Sequence, residues 1–199
     1  MLGVCLVLLG YLLGAVPTGL LVGNAAGVDI RKVGSGNIGT ANVLRAAGKW
    51  AAGLTMFGDM LKGLVPVVLA RLALEDAWVI SLVALASVAG HCWPVFLRFK
   101  GGKGVATGAG TILGLAPLLG LGLFGLWWVV ALISRYTSLA AMVTMVAGPF
   151  VFLLFGQPLP YVIYTFIGGA LVIWLHRGNV RALLNGTERK VGQKVEKRE

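Results

Sequence analysis

Acidic residues, histidines and cysteines are scarce in this sequence. The 199 residues include seven Asp and Glu, two His and two Cys. Cys5 and Cys92 are expected near opposite faces of a membrane, too far apart for a disulfide with its Cα separation of about 5.5 Å, and are interpreted as packing residues. Paired metal ions need a cluster of aspartates, and Asp59 is the only acid inside an apolar segment. The shortage also leaves no persuasive Ser-His-Asp set.

Charged residues of every kind are few, at 12%, whereas hydrophobic residues make up 58%. Mean hydropathy is +0.89 and the formal net charge is +10. This composition is typical of a polytopic membrane protein with basic loops on one side. A nucleic-acid-binding protein can carry the same charge, but no soluble region with a binding fold is evident. We therefore expect a lipid bilayer as surroundings and no nucleic acid as partner.

The apolar segments predict an all-α, polytopic membrane helix bundle of about seven transmembrane helices. The expected spans are residues 2–22 with an interruption at Pro17, 51–70, 77–96, two short crossings within 105–133 broken near Pro117, 139–155 and 161–175. The basic loops fall on one side only if 105–133 crosses twice. The positive-inside rule then places the N-terminus outside and the C-terminus in the cytoplasm.

The domain organisation expected from this pattern is simple. Residues 1–186 form a single integral-membrane catalytic domain, and residues 187–199 form a basic, disordered cytoplasmic tail. Asp59 and Lys62 stand three apart on one helix face within the second span. We expect them to pair with each other, as a structural ion pair or in an inward-facing site, since an unpaired charge in mid-bilayer costs about 2.5–3.5 kcal/mol.

Residues 34–45, G-S-G-N-I-G-T-A-N-V-L-R, form a polar stretch between two apolar segments. Its glycines match a dinucleotide-binding pattern, but that pattern needs a preceding strand and here follows a membrane helix. The alternative is an anion-binding site formed by backbone N–H groups at the start of a helix over about 38–47. Its candidate residues are Gly34, Ser35, Gly36, Asn37, Gly39, Thr40, Asn42 and Arg45.

Two further polar clusters are expected on the same side of the membrane. The second comprises Gly101, Gly102, Lys103 and Gly104 at the entrance of a short helix, with Thr107 one turn further on. The third comprises His176 and Asn179 after the last span, and Ser138 is expected to be a helix N-cap that also touches the site. Together the clusters suit a ligand with one or two phosphates.

Each of these residues also has an ordinary structural interpretation. Juxtamembrane cations anchor helices, glycines form turns or close helix contacts, and Ser35 and Asn37 can cap a helix. His91, followed by Cys92, Trp93 and Pro94, is interpreted as interfacial packing and helix termination. The functional interpretation is favoured because several such features cluster on one face.

Four motifs carry a resemblance to a known family. They are V-G-S-G-N-I-G-T-A-N-V-L-R-A-A-G, G-D-M-L-K-G, G-H-C-W-P-V-F-L-R-F-K-G-G-K-G-V-A-T and H-R-G-N. The sequence resembles the bacterial membrane glycerol-3-phosphate acyltransferases that use acyl phosphate, the PlsY family, over nearly its whole length. The resemblance implies transfer of a fatty acyl group from acyl phosphate to the sn-1 hydroxyl of glycerol 3-phosphate. Lysophosphatidic acid and inorganic phosphate would be the products, without cofactor or metal.

The resemblance also implies roles for the candidate residues at the cytoplasmic face of the bacterial inner membrane. Arg45 and Lys103 are phosphate clamps, Ser35 and Asn37 are loop donors, and His176 and Asn179 orient the attacking hydroxyl. The H-x4-D dyad of acyl-CoA-dependent enzymes is absent. The general base is therefore either His176 or a substrate phosphate oxygen.

Two questions remain open at this level. A soluble enzyme that supplies acyl phosphate is a possible partner. The alternative function is a small transporter for a phosphorylated metabolite, in which Asp59 and Lys62 would line a path.

Overall fold

The computed structural model describes residues 1–193, and within them the structure is helical with no β-strand. The helices are α1 (Leu2–Gly14), α2 (Thr18–Ala25), α3 (Thr40–Ala73), α4 (Ala77–Cys92), α5 (Val105–Leu115), α6 (Pro117–Ser134), α7 (Thr137–Leu154), α8 (Leu159–Leu175) and α9 (Arg177–Leu184). Residues 194–199 of the predicted tail lie outside the described part of the chain. The all-helical expectation is confirmed.

Five helical segments are long and apolar enough to cross a membrane, and the bent pair α8–α9 makes a sixth. Large apolar side chains such as Leu8, Phe57 and Leu154 are exposed on the outer surface. A helix bundle that satisfies its own backbone and presents such a surface suits lipid. Helix α5 is shorter: its 11 residues span about 16 Å, against a hydrocarbon core of about 30 Å. The protein is therefore an integral membrane protein.

Three breaks shape the helices. Pro17 separates α1 from α2, and Pro117 begins α6 directly after α5 ends, so both predicted proline breaks are confirmed. The third break, at Gly48 inside α3, falls in the gap between the predicted helix over about 38–47 and the predicted span over 51–70. Gly48 has φ 86° and ψ −177°, a conformation essentially restricted to glycine. It separates the first two turns of α3 from the long apolar part.

The contacts between helices fix their relative directions. Gly3 and Gly14 of α1 lie against Val79 and Ser87 of α4, so these two helices run the same way. Helix α5 runs parallel to α3, since Thr107 lies against Gly63 and Gly114 lies against Val67. Helix α8 is antiparallel to α5: Tyr164 bonds Thr111, and Val172 lies beside Gly104.

Glycine at several of these contacts brings backbones together. A Cβ at Gly14 would overlap the Ser87 backbone, and one at Gly110 would overlap the backbone of Met60. Such small-residue contacts allow the close helix packing on which membrane bundles depend. The arrangement gathers the polar loops at one end of the bundle: the segment before α3, the turn from α4 to α5, the α6–α7 turn and the end of α8.

The charged pair in α3 is confirmed. Lys62 Nζ lies 2.8 Å from Asp59 Oδ1, and both side chains are buried. Lys62 also donates to the Val16 carbonyl at 2.8 Å, at the break between α1 and α2. The pair thus ties α3 to the first span.

Candidate functional site

A cavity of about 910 Å³ opens at the end of the bundle where the polar loops meet. Its wall includes members of all three predicted clusters, namely Ser35, Asn37, Gly39, Thr40, Asn42, Arg45, Lys103, Gly104, Ser138, His176 and Asn179. The structure therefore brings together loops that are up to 144 positions apart in sequence, from Ser35 to Asn179, as the anion-site interpretation requires.

Five predicted binding residues are not among the described lining residues: Gly34, Gly36, Gly101, Gly102 and Thr107. Gly34 and Gly36 have φ values of 60° and 70°. They form the turns of the segment that precedes α3, residues 34–39, which we call the first loop. Thr107 is fully buried against α3. In this structure these residues shape the loops that carry the lining side chains.

Asn42 fixes the first loop in place. Its Oδ1 accepts from the Ser35 N–H at 3.0 Å, and its Nδ2 donates to the Ile30 carbonyl at 2.8 Å. Ile30 and Val43 are fully buried beneath it. Because both ends of the amide are engaged, Asn42 holds Ser35 at the cavity wall. Asn37 likewise accepts from the Gly39 N–H at 2.9 Å, just before α3 begins.

Lys103 lies between the second and third clusters. Its Nζ donates to Asn179 Oδ1, and Arg45 and Glu188 lie within electrostatic range. Burial lowers the pKa of Lys103 below its ordinary value; Glu188 opposes this shift and Arg45 adds to it. The cations of the first two clusters therefore face one polar space.

Glu188 is a site residue that the sequence interpretation missed. Its Oε1 accepts from Ser138 Oγ at 2.6 Å and from Asn179 Nδ2 at 2.8 Å. The start of the predicted tail thus returns to the cavity wall. The expected N-cap role of Ser138 is wrong. Helix α7 begins at Thr137 with Tyr136 as its N-cap, two residues before the expected start, and the Ser138 hydroxyl donates to Glu188.

His176 lies at the junction of α8 and α9 and is almost completely buried. Its Nδ1 is 2.7 Å from the Val172 carbonyl oxygen, which requires the proton on Nδ1 and leaves Nε2 as an acceptor. Burial, with Lys103 nearby, lowers the pKa of His176 to about 4. The ring is therefore neutral near pH 7.

Two further buried residues also line the cavity: Asp59, for which the sequence leaves open an ion pair or an inward-facing site, and His91, interpreted as packing. Asp59 and His91 both reach its wall, although they are only 2% and 4% exposed. His91 terminates α4 as expected, since the helix ends at Cys92, but its ring is more than interfacial packing. Within residues 1–193, no group of three His, Cys, Asp or Glu side chains is placed to hold a metal ion.

Away from the polar end, the cavity wall is apolar. Helix α6 lines it from Arg135, just past its end, back to Gly120, with Leu123, Phe124 and Trp127 between them. These 15 residue steps correspond to about 22 Å, which exceeds the thickness of one leaflet, about 15 Å. The same cavity thus joins a mouth that contains Arg45 and Lys103 to a long apolar slot along α6.

The chain is similar to known proteins over nearly its whole length. The profile of the glycerol-3-phosphate acyltransferase family matches residues 4–186. Glycerol-3-phosphate acyltransferases of Rubrobacter xylanophilus and Thermus thermophilus are 73% and 48% identical, each match covering 96% of both chains.

Solved structures give the same result for the fold. The chain is similar to crystal structures of PlsY (YgiH), an integral membrane glycerol 3-phosphate acyltransferase, in its glycerol 3-phosphate and lysophosphatidic acid forms. The TM-scores are 0.93 and 0.91 and the identities 40% and 39%, with 96% of both chains covered. The chain belongs to the glycerol-3-phosphate acyltransferase family.

Proposed function

We propose that this protein transfers a fatty acyl group from acyl phosphate to the sn-1 hydroxyl of glycerol 3-phosphate, giving lysophosphatidic acid and inorganic phosphate. One observation carries the proposal: a single cavity joins a mouth containing Arg45 and Lys103 to an apolar slot along α6. The donor has a phosphate head and a fatty tail, and the acceptor is a second phosphate. The two ends of the cavity match these two chemistries.

At the polar end, Arg45 and Lys103 act as phosphate clamps through charge-assisted hydrogen bonds. The Ser35 hydroxyl and the Asn37 amide on the first loop add neutral donors. His176 and Asn179 orient the attacking hydroxyl, since His176 Nε2 is left as a hydrogen-bond acceptor. Glycerol 3-phosphate therefore lies beside α8 and α9, with its sn-1 hydroxyl directed at the acyl carbonyl.

In the reaction, the sn-1 oxygen attacks the acyl carbonyl carbon, the bond from that carbon to the phosphate oxygen breaks, and inorganic phosphate leaves. An acyl phosphate is a mixed anhydride, so positioning and charge neutralisation supply much of the rate. A neutral imidazole whose conjugate acid has a pKa of about 4 is a weak base near pH 7. We therefore assign the hydroxyl proton to a substrate phosphate oxygen.

The membrane topology belongs to the same proposal. The successive apolar segments from α1 to α8 alternate in direction along the chain. With α1 and α2 counted together and the short α5 counted as a crossing, this alternation supports seven crossings. The loops at the cavity end carry Arg98, Lys100 and Arg135. The positive-inside rule then places the cavity at the cytoplasmic face of the bacterial inner membrane and the N-terminus outside. A soluble enzyme that makes acyl phosphate would approach this face.

A donor-swap assay tests the function. Purified protein with palmitoyl phosphate and glycerol 3-phosphate, in the presence of a chelator, is expected to release inorganic phosphate and form lysophosphatidate. Palmitoyl-CoA is not expected to replace the phosphate donor. Equal rates with both donors would contradict the proposal. Vesicles that take up glycerol 3-phosphate without acylating it would instead support the transporter.

A matched pair of lysine variants tests the clamp. Lys103→Ala is expected to lower kcat/KM about 10- to 100-fold, since charged hydrogen bonds contribute about 1.5–3 kcal/mol. Lys100→Ala removes the same charge from an exposed position of the same loop and is expected to stay within about twofold of wild type, because exposed charges are screened. Equal losses in both variants would assign the effect to general surface charge.

A further inference from the structure

His91 lies between a buried carboxylate and the second glycine-rich loop. It occupies the last turn of α4, and its Nδ1 is 3.7 Å from Asp59 Oδ1 on α3. Asp59 is held in turn by Lys62, 2.8 Å away. At 3.7 Å the imidazole makes an electrostatic contact with a second helix rather than a hydrogen bond, and the ring is 4% exposed.

The glycine-rich loop rests directly on His91. The Gly102 N–H donates to the His91 carbonyl at 3.0 Å, and the Gly101 N–H donates to the Cys92 carbonyl at 3.2 Å. A Cβ built at Gly102 would overlap His91 Nε2, and one at Gly101 would overlap the His91 carbonyl oxygen. Glycine at these two positions therefore lets the loop backbone lie against the ring and the end of α4.

The next residue of this loop is Lys103. Its side chain reaches Asn179 across the cavity mouth, so the position of its backbone decides where the ammonium group lies. Any shift of Gly102 relative to the His91 ring moves Lys103 with it. A misplacement of about 1 Å at a reacting group is enough to lower a rate about 100-fold.

We propose that the Asp59–His91 pair is a platform that positions the glycine-rich loop, with His91 acting on the reaction through Gly102 and Lys103. This inference rests on the proposed acyl transfer for its kinetic test. His91 is a positioning residue: its Nδ1 faces Asp59 and its Nε2 lies over the Gly102 backbone. Its contribution is to hold the loop rather than to exchange a proton with substrate.

The first experiment is a double-mutant cycle between positions 91 and 103. His91→Ala is expected to lower kcat/KM for glycerol 3-phosphate about 10- to 100-fold, whereas the buried control Ser87→Ala, one turn earlier in α4, stays near wild type. If His91 acts through Lys103, adding His91→Ala to Lys103→Ala costs less than about threefold further. If the decreases in kcat/KM of the two single variants multiply in the double variant, the proposal is wrong. Wild-type kinetics in His91→Ala would also contradict it.

The second experiment uses the steric contact. Gly102→Ala directs a methyl group at the ring and is expected to displace the loop. Removing the ring in Gly102→Ala/His91→Ala is expected to restore part of the activity lost in Gly102→Ala. A double variant less active than either single variant would mean that the loop does not rest on the ring.

A third measurement does not depend on catalysis. Hydrogen exchange of the amides of residues 101–104 is expected to be faster in His91→Ala than in wild type and unchanged in Ser87→Ala. Faster exchange in a protein without acyl transfer would retain the platform and reject the proposed function. Unchanged exchange in an active enzyme would reject the platform alone.

Discussion

At the scale of single residues, His176 is tuned by its surroundings to stay uncharged. Its Nδ1 is engaged by the Val172 carbonyl, and burial with Lys103 nearby lowers its pKa to about 4. A protonated ring would present a donor at Nε2 in place of an acceptor. The neutral ring thus keeps the lone pair with which we propose that it orients the acceptor hydroxyl, at the expense of basicity.

The pH dependence of the reaction tests this assignment. Because the pKa of His176 lies below its ordinary value of 6.5, protonation of the ring is not expected to affect kcat/KM between pH 5 and 8. A change of kcat/KM with pH, the limb of the pH profile, is expected near pH 6 and comes from the second ionisation of a phosphate monoester. His176→Asn is expected to be slower with the same limb. A limb that disappears in this variant would make His176 the base.

Several site residues could be predicted from the sequence because local chemistry marks them. Asn37, Arg45 and Lys103 stand out as polar residues among glycines in an apolar chain. Glu188 and His91 do not stand out, since their importance comes from partners on other elements. Glu188 is one of several charged residues in a basic tail, and its contact with Ser138 spans 50 positions.

At the scale of elements, helix α3 is two helices joined at Gly48. The first two turns carry Asn42 and Arg45 at the cavity, and the remainder crosses the bundle. The bend therefore decides the direction in which Arg45 enters the site. Sequence patterns indicate breaks at Pro17 and Pro117, because proline removes a helical hydrogen bond, although Pro66 and Pro149 lie inside α3 and α7. The change from a polar helix over about 38–47 to an apolar span from 51 places a break near Gly48, but the sequence does not give its backbone conformation, since glycine also occurs within straight helices.

A pair of glycine variants tests the bend. Gly48→Ala places a side chain at φ 86° and is expected to cost about 1–3 kcal/mol, seen as a lower unfolding temperature in detergent together with reduced activity. Gly53→Ala, five residues later, meets nothing within 4 Å and is expected to leave the unfolding temperature unchanged or slightly higher. Equal unfolding temperatures in the two variants would show that α3 tolerates straightening.

At the scale of the whole molecule, the short helix α5 determines where the later loops lie. Between Lys100 and Arg181 the chain passes through α5, α6, α7 and α8. If α5 counts as a crossing, both residues face the cytoplasm. If it does not, they face opposite sides. The sequence alone could not decide this from length, because 11 residues are too short for a full span.

Cysteine labelling in intact cells tests the topology. In a background with Cys5 and Cys92 replaced by alanine, Lys100→Cys and Arg181→Cys are expected to react only after the membrane is made permeable. Glu75→Cys, exposed at the opposite end of the bundle, is expected to react directly with an impermeant maleimide. Direct labelling at position 181 would contradict seven crossings.

The return of the chain to the cavity after α9 has a practical consequence for where this enzyme can be cut. The family profile stops at residue 186, two positions before the carboxylate that receives the Ser138 and Asn179 hydrogen bonds. A protein shortened to that boundary would keep every apolar helix and still leave two donors without their acceptor. Truncations and fusions should therefore leave Glu188 in place.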